Sequence, residues 1–382
     1  MGPSLMTIME HKSHKNNAAK PQDLAARKSG VFTAEALRGA VAAGVIIPAS
    51  DLAPRQIQPS SLDLTLGNKA WRIRASFLAG PGRKVEQRLD DGLKMHELDL
   101  QNGAVLEKGC VYLVPLRERL ALPADIGAMA NPKSSTGRID VFVRLVVDGG
   151  TSFETVPAGY CGPLYAEISP RTFSIVVREG SSLNQLRLRR GSAIISDEDL
   201  HGIHRKMPIV DGKGHFSGGL GLSVQLQGKP GETIGYVARR HAGVIDVDKI
   251  GALDPDDFWR PIEASREGSL ILDPDEFYIL ASREWLKIPE DLAAEMVPID
   301  PLLGEYRVHY AGFFDPGFGV GAGSKAVLEV RGHDAPFMLE HGQLVARLVY
   351  ERLIGVPETL YGQGLKSNYQ GQSLKLSKHF KS

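Results

Sequence analysis

The chain has 382 residues, of which 42% are hydrophobic and 24% charged, as in an ordinary globular protein. Its 45 basic residues balance its 45 acidic residues, which disfavours nucleic-acid binding through bulk charge, although a local cluster can still hold a small anion. The sequence has no apolar stretch of membrane-helix length, and its two cysteines have neither disulfide nor zinc-site spacing, so we expect a cytoplasmic protein without membrane contact.

The elements in chain order favour a mainly β fold. Residues 1–28 are polar and predict a disordered tail. A helix fits Thr33 to Ala43, with Thr33 as its N-cap and Gly44 just past its end. The alternation from Leu62 to Leu66 predicts a strand. Short β-type runs follow, cut by many of the 42 glycines and 23 prolines, which is typical of a sandwich or barrel.

An internal repeat is the most informative feature of the sequence. The run 111–125 recurs at 277–291 with its Tyr, Arg, Glu, Leu, Pro and Asp at one constant offset. Farther along, the same spacings join Glu167, Gly180 and Leu186 in one copy and Glu329, Gly342 and Leu348 in the other. The repeat predicts two tandem domains, 29–200 and 215–382.

A cluster of hydroxyl and basic residues lies at Lys133-Ser134-Ser135-Thr136-Gly137-Arg138. Hydroxyls, a lysine and an arginine fork suit phosphate oxygens, although the same composition also fits a polar surface turn. The spacing of a Walker loop is absent.

Glutamates on apolar strands are the candidates for acid–base chemistry. Glu329 lies in the strand-like run 326–330, after the turn signal Asp315-Pro316-Gly317, and Glu167 is its counterpart in the first repeat. A buried carboxylate of this kind has a raised pKa and suits proton transfer, whereas one at a strand end would merely face solvent.

The C-terminal residues 361–382 combine tyrosines, amides and lysines with glycines. They predict a lid over an anionic ligand, with a frayed terminus as the alternative.

Together these motifs resemble the dCTP deaminase family over roughly residues 30 to 378. The run 57–67 is similar to the N-terminal signature of that family, and Lys133 to Arg138 to its phosphate-binding segment, with Lys133 in place of the leading arginine. The tandem arrangement resembles a two-domain bacterial subgroup. The resemblance implies two dUTPase-like β-barrel or jelly-roll domains with a few short helices, and hydrolytic deamination of dCTP to dUTP and ammonia in pyrimidine deoxynucleotide metabolism.

The resemblance also assigns site residues. Glu329 is the expected general acid/base, assisted by Ser134 and Arg138, and Glu167 is the runner-up. The expected substrate-binding residues are Lys133, Ser134, Ser135, Arg138, Ala311, Asp315, Val327, Leu328, Gln343, Tyr361, Lys366, Tyr369 and Gln372.

Each repeat departs from the family pattern where the other keeps it. The second repeat has Pro298-Ile299-Asp300-Pro301 in place of the phosphate segment, and the first has Pro157-Ala158-Gly159 in place of the Asp-Pro-Gly turn. Extra glycines between Asp315 and Glu329 and Asn368 in place of a tail lysine are further departures. Because sites in this family form between neighbouring copies, we expect one composite site.

The expected partners are dCTP and further copies of the chain in a homo-oligomer. The chain lacks the paired cysteines of zinc deaminases, so we expect chemistry without a metal cofactor, and Mg²⁺ only as the counter-ion of the triphosphate. The alternatives are a dUTP diphosphatase or bifunctional enzyme that uses Asp315, a non-catalytic nucleotide-binding module, and, least favoured, a sugar-binding or structural β-protein.

Overall fold

The structure, a computed structural model, describes residues 28–298, 306–309, 312–363 and 369–381, and only the backbone over 306–309. The tail predicted at 1–28 lies outside these residues except for its last position.

Helices are few and short. They are α1 (Ala34–Ala42), α2 (Val85–Arg88) with a π-helical turn (Leu89–Leu93), α3 (Ser134–Gly137), α4 (Asp197–Lys206) and α5 (Pro255–Phe258). The Thr33 hydroxyl caps α1 by accepting the N–H of Ala36 at 3.4 Å, and Gly44 follows with a φ of 70°, as the sequence predicts. Helix α4, which the sequence did not reveal, has Ser196 as its cap and joins the two halves of the chain.

Strands are the predominant regular structure. The first half contains β1 (Gly30–Val31), β2 (Ile46–Pro48), β3 (Leu62–Leu64), β4 (Lys69–Ile73), β5 (Lys94–Asp99), β6 (Ala104–Leu106), β7 (Val111–Ala121), β8 (Ile126–Pro132), β9 (Val141–Val147), β10 (Thr155–Val156), β11 (Cys161–Pro170), β12 (Ile175–Val177) and β13 (Asn184–Arg190). The second half contains β14 (Leu220–Ser223), β15 (Thr233–Ala238), β16 (Ile245–Asp246), β17 (Trp259–Glu263), β18 (Ser269–Leu272), β19 (Phe277–Leu286), β20 (Leu292–Pro298), β21 (Tyr306–His309), β22 (Phe313–Phe314), β23 (Ser324–Gly332), β24 (Phe337–Glu340) and β25 (Leu344–Arg352).

The two halves share one strand topology. One sheet runs β5-β4-β7-β11-β9 in the first half and β17-β15-β19-β23-β21 in the second. The other runs β13-β8-β10, with β3 on β13, and correspondingly β14-β25-β20-β22. Apolar side chains between the sheets form the core of each half. The predicted mainly β class with two tandem copies is confirmed.

The repeated polar residues have equivalent structural roles. The hydroxyl oxygens of Tyr112 and Tyr278 accept the backbone N–H of Glu107 at 3.0 Å and of Asp273 at 2.9 Å. Glu118 accepts the N–H of Thr65 at 2.9 Å and its hydroxyl at 2.7 Å. The repeated polar residues therefore supply hydrogen-bond acceptors for backbone N–H groups that each copy must pair.

Glu284 is the counterpart of Glu118 and binds Ser223 in the same way. It accepts the Ser223 N–H at 2.9 Å and the Ser223 hydroxyl at 2.5 Å. Each glutamate thereby ties its long central strand, β7 or β19, to the short strand region that precedes it.

Strand pairing and a shared core join the halves. Strand β16 of the second half pairs in parallel with β12 of the first, with Ile175 opposite Ile245. Near the N-terminus, Ile354 donates its N–H to the Val31 carbonyl at 2.9 Å. An aromatic cluster also crosses the boundary and contains Phe173, Phe258, Trp259, Phe277 and Phe380. The relative position of the two halves is therefore set by buried contacts.

We predict that Glu118→Gln destabilises the fold by about 1–3 kcal/mol, because a buried acceptor of several hydrogen bonds loses its charge and gains an amide donor. Urea unfolding measures this change. The matched control is Glu290→Gln at an exposed position, and equal stabilities of the two variants would contradict the assigned role.

Candidate active site

A cavity of about 580 Å³ lies where the two halves meet. From the first half it is lined by Arg55, Gln58, Asp63, Lys133, Ser134, Ser135, Arg138 and Gln185. From the second half it is lined by Ile250, Met296, Gly312, Phe313, Phe314, Asp315, Phe318, Val327, Glu329, Tyr361, Tyr369, Gln372 and Lys378. The hydroxyl and basic cluster of the first repeat and Glu329 of the second therefore line the same cavity within a single chain.

The hydroxyl and basic cluster follows β8 and forms the turn of α3. The N–H of Lys133 donates to the Leu183 carbonyl at 2.9 Å, which anchors the turn to the chain just before β13. The ammonium group of Lys133 forms a short ion pair with Asp63. Ser135 and Arg138 are almost fully buried. The segment therefore presents a hydroxyl and cationic wall to the cavity rather than a solvated surface turn.

Arg138 is held by residues of the second half. Its guanidinium donates to the side-chain oxygen of Gln372 at 3.1 Å and to the Lys375 carbonyl at 2.9 Å. The Tyr369 ring lies 3.9 Å from the guanidinium carbon, which is a cation–π distance. The C-terminal segment thereby positions the arginine of the first repeat.

Glu329 lies on β23, whose alternation sends Val327 and Glu329 toward the cavity and Leu328 into the core of the second half. Glu329 is 3% exposed. Burial raises the pKa of Glu329 to about 8, against the opposing effect of the positive charge of Arg138. The carboxyl group can therefore change protonation state close to neutral pH.

Asp315, which also lines the cavity, begins a tight turn. Phe318 donates its N–H to the Asp315 carbonyl at 3.1 Å, and Gly317 has a φ of 90°. A Cβ on Gly317 would lie 2.7 Å from that of Leu360, so glycine is required there. The Asp315 carboxylate accepts the Ser60 hydroxyl at 2.5 Å and Arg187 at 3.3 Å. Both partners come from the first half.

Arg187 links the two halves beneath this turn. Its guanidinium is fully buried and donates to the carbonyls of Ala294 and Phe314, each at 2.9 Å. It also lies 4.0 Å above the Phe313 ring and 3.5 Å from Glu351. Burial lowers the pKa of Arg187, and the nearby carboxylates oppose that effect.

Comparison with known families and structures decides the family. The model of the 2′-deoxycytidine 5′-triphosphate deaminase (DCD) N-terminal domain matches residues 28–192, and that of the C-terminal domain matches residues 196–380. The chain belongs to the dCTP deaminase family. The crystal structure of 2′-deoxycytidine 5′-triphosphate deaminase from Agrobacterium tumefaciens has a TM-score of 0.83 and 53% identity. That match covers 87% of this chain and 100% of the other.

Two more distant relatives are about half as long as this chain. A dCTP deaminase, dUMP-forming, from Beutenbergia cavernae is 31% identical over 141 residues, which is 35% of this chain and 71% of the relative. A dCTP deaminase from Ignicoccus hospitalis is 27% identical over 150 residues, 38% of this chain and 77% of the relative.

Within the part of the chain that the structure describes, no helix is long and apolar enough to cross a membrane.

Glu167, the alternative candidate for the catalytic base, does not line the cavity. It lies on β11 and is buried, like its counterpart. Arg144, opposite it on β9, forms a short ion pair with its carboxylate and also donates to Ser76 at 2.8 Å. Glu167 therefore belongs to a compensated structural pair.

Two other residues predicted to contact the substrate, Leu328 and Gln343, do not line the cavity wall that the structure describes. Leu328 faces the core because it alternates with Val327 and Glu329 along the strand. Gln343 lies in the turn before β25, where its side chain accepts the Glu340 N–H at 3.1 Å. The structure therefore does not bring these two side chains to the cavity, and their substrate-binding role stays a prediction. Ala311 and Lys366 lie outside the described residues.

Several cavity residues were not predicted as site residues. Among them are Arg55, Gln58, Asp63, Gln185, Ile250, Met296, Phe313, Phe314, Phe318 and Lys378. A signal for Asp63 was present, because a lone acid between Leu62 and Leu64 in a buried strand needs a partner. Sequence periodicity carries no such signal for the phenylalanines, which line the cavity only because the halves dock.

We predict that Arg187→Met destabilises the chain by about 3–5 kcal/mol, because it leaves buried acids at 315 and 351 without this cation. Chemical unfolding followed by fluorescence measures the loss. Arg205→Met removes an exposed arginine of α4 and is the control. A midpoint for Arg187→Met equal to that of the control would contradict the interfacial role.

Proposed function

We propose that the chain catalyses hydrolytic deamination of dCTP to dUTP and ammonia, with Glu329 as the general acid/base. The observation that carries the proposal is the buried Glu329 carboxyl beside Arg138, at the wall of a cavity that also presents Lys133, Ser134 and Ser135. The family membership and the names of the relatives support dCTP as the substrate.

In the proposed mechanism, ionised Glu329 takes a proton from water while the water oxygen adds to C4 of the cytosine ring. The carboxyl group returns this proton to ring N3 and then moves the second water proton to the amino group. The C4–N bond breaks, ammonia leaves, and C4 becomes the carbonyl of uracil. Ser134 and Arg138 orient the water and stabilise the charge that develops. No metal cofactor takes part in these steps as proposed.

The remaining polar residues suit the rest of the nucleotide. Lys133, Ser135 and Arg138 supply donors for the phosphates, with Mg²⁺ entering as part of the substrate complex. Asp315, Val327 and the backbone near Glu329 suit the sugar and base. Tyr361, Tyr369 and Gln372 come from the C-terminal segment and close the cavity. A homo-oligomer and a cytoplasmic location stay predictions.

A bifunctional enzyme is the second candidate. Several relatives are named dUMP-forming, and Asp315 lies in the cavity, where it could activate water toward the α-phosphate. Its hydrogen bonds to Ser60 and Arg187 occupy one carboxylate oxygen and favour a positioning role instead. Product analysis of separate reactions with dCTP and dUTP distinguishes the candidates. Accumulation of dUTP alone supports deamination, and dUMP formation supports the bifunctional enzyme.

We predict that Glu329→Gln lowers kcat by at least ~10²–10⁴-fold, the usual effect of losing a general acid/base. Ammonia release from dCTP measures this rate. The matched control is Glu167→Gln, which alters the counterpart glutamate outside the cavity. Near-normal activity of Glu329→Gln, with a loss in Glu167→Gln, would overturn the assignment.

The pH dependence should follow the raised pKa of Glu329. Since the ionised carboxylate is needed to take the proton from water, kcat/KM should rise with pH and level off above about 8. Because the pKa of Glu329 in the folded protein lies above its ordinary value of 4.5, its contribution to the free energy of unfolding is complete below that value and is lost as pH rises through about 8. Stability of the wild type relative to Glu329→Gln should therefore fall over this range. A flat rate profile from pH 6 to 9 contradicts the mechanism.

A further inference from the structure

Two lysines, Lys133 and Lys378, line the cavity together with the carboxylate of Asp63. Lys133 forms an ion pair with Asp63 and lies 3.3 Å from the Ser182 hydroxyl. Lys378 lines the same cavity, close enough that its charge repels that of Lys133 and attracts that of Asp63. Asp63 already pairs with Lys133, so it cannot by itself balance both ammonium groups.

The nearby carboxylate of Asp248 is already engaged. It accepts the Ser181 hydroxyl at 2.7 Å and Arg178 at 3.2 Å. Among the described residues, no ion pair within 4.0 Å involves Lys378. Burial and the charge of Lys133 both lower the pKa of Lys378. A half-buried ammonium group in this position is stabilised when an anion binds next to it.

The backbone around Lys378 is fixed rather than frayed. Its carbonyl accepts the Gly251 N–H at 2.9 Å, and its own N–H donates to the Tyr369 hydroxyl at 3.2 Å. On either side, Ser377 donates to the Ser135 carbonyl at 2.8 Å, and His379 lies 3.0 Å from the Val247 carbonyl. Residues 377–381, which we call the strap, therefore hold Lys378 at a set position.

The strap also touches the hydroxyl and basic cluster directly. The bond from Ser377 reaches Ser135, which lines the cavity beside Lys133. The strap thus places Lys378 beside the hydroxyl and basic cluster, where the phosphates of a nucleotide would lie. The other strap lysine, Lys381, is exposed and lies 3.7 Å from Asp254.

We propose that Lys378 binds the terminal phosphates of the nucleoside triphosphate together with Lys133. The inference rests on the proposed function, since it takes the substrate to be a triphosphate, and it adds a specificity residue to that site. Lys378 makes the site sensitive to the length of the phosphate chain: a triphosphate reaches both lysines, and a monophosphate does not.

The test compares Lys378→Met with Lys381→Met, a matched loss of an exposed strap lysine. Loss of a charge-assisted contact should raise the KM for dCTP about ten- to hundredfold, with a smaller effect on kcat. Calorimetry should show a similar loss of affinity for inorganic tripolyphosphate, and no change for dCMP. Lys378→Arg should restore most of the tripolyphosphate affinity.

The outcomes separate the two proposals. Weaker tripolyphosphate binding by Lys378→Met upholds the role of Lys378, even if the wild type fails to deaminate dCTP and the proposed function is lost. Equal tripolyphosphate binding by the two methionine variants overturns it. Equal losses for dCMP and tripolyphosphate also overturn it, because they indicate general damage to the cavity.

Discussion

The buried charge of Arg187 is the constraint on which the composite site depends. A guanidinium without solvent is tolerated only where acceptors surround it, and here those acceptors come from both halves of the chain. Ser60 and Asp315 complete the set, so the turn that lines the cavity is tied to a strand of the other repeat. The cavity between the halves therefore depends on how the halves pack around this arginine.

The two copies place equivalent glutamates in different surroundings. Glu167 and Glu329 lie at equivalent positions on equivalent strands, and both are buried. Arg144 pairs closely with Glu167, whereas Glu329 meets Arg138 across the domain boundary at the wall of a cavity. A paired carboxylate contributes to structure, while burial raises the pKa of Glu329 to about 8, which suits proton transfer.

The site was predictable where a residue's role follows from its own strand or turn. Glu329 could be found because an acid within an apolar strand is costly unless it is paired or functional, and Asp315 because Asp-Pro-Gly is a turn signal. Leu328 was misplaced because neighbouring strand residues face opposite sides, and the sequence does not tell which side holds the cavity. Phe313 and Lys378 were missed because each lies against the other half at the cavity, Phe313 beside Arg187 and Lys378 next to Ser377, which binds Ser135.

The sequence by itself determined the mainly β class, the duplication and the family motifs, because these depend on local periodicity and on polar residues such as Glu118 and Glu284 that satisfy the backbone of their own copy. Tertiary structure alone decided which glutamate forms an ion pair outside the cavity, which glutamate lines the cavity, and which lysines line it as well. Those outcomes depend on distances between residues hundreds of positions apart, as between Arg138 and Gln372, and such distances are set by how the two buried faces pack together.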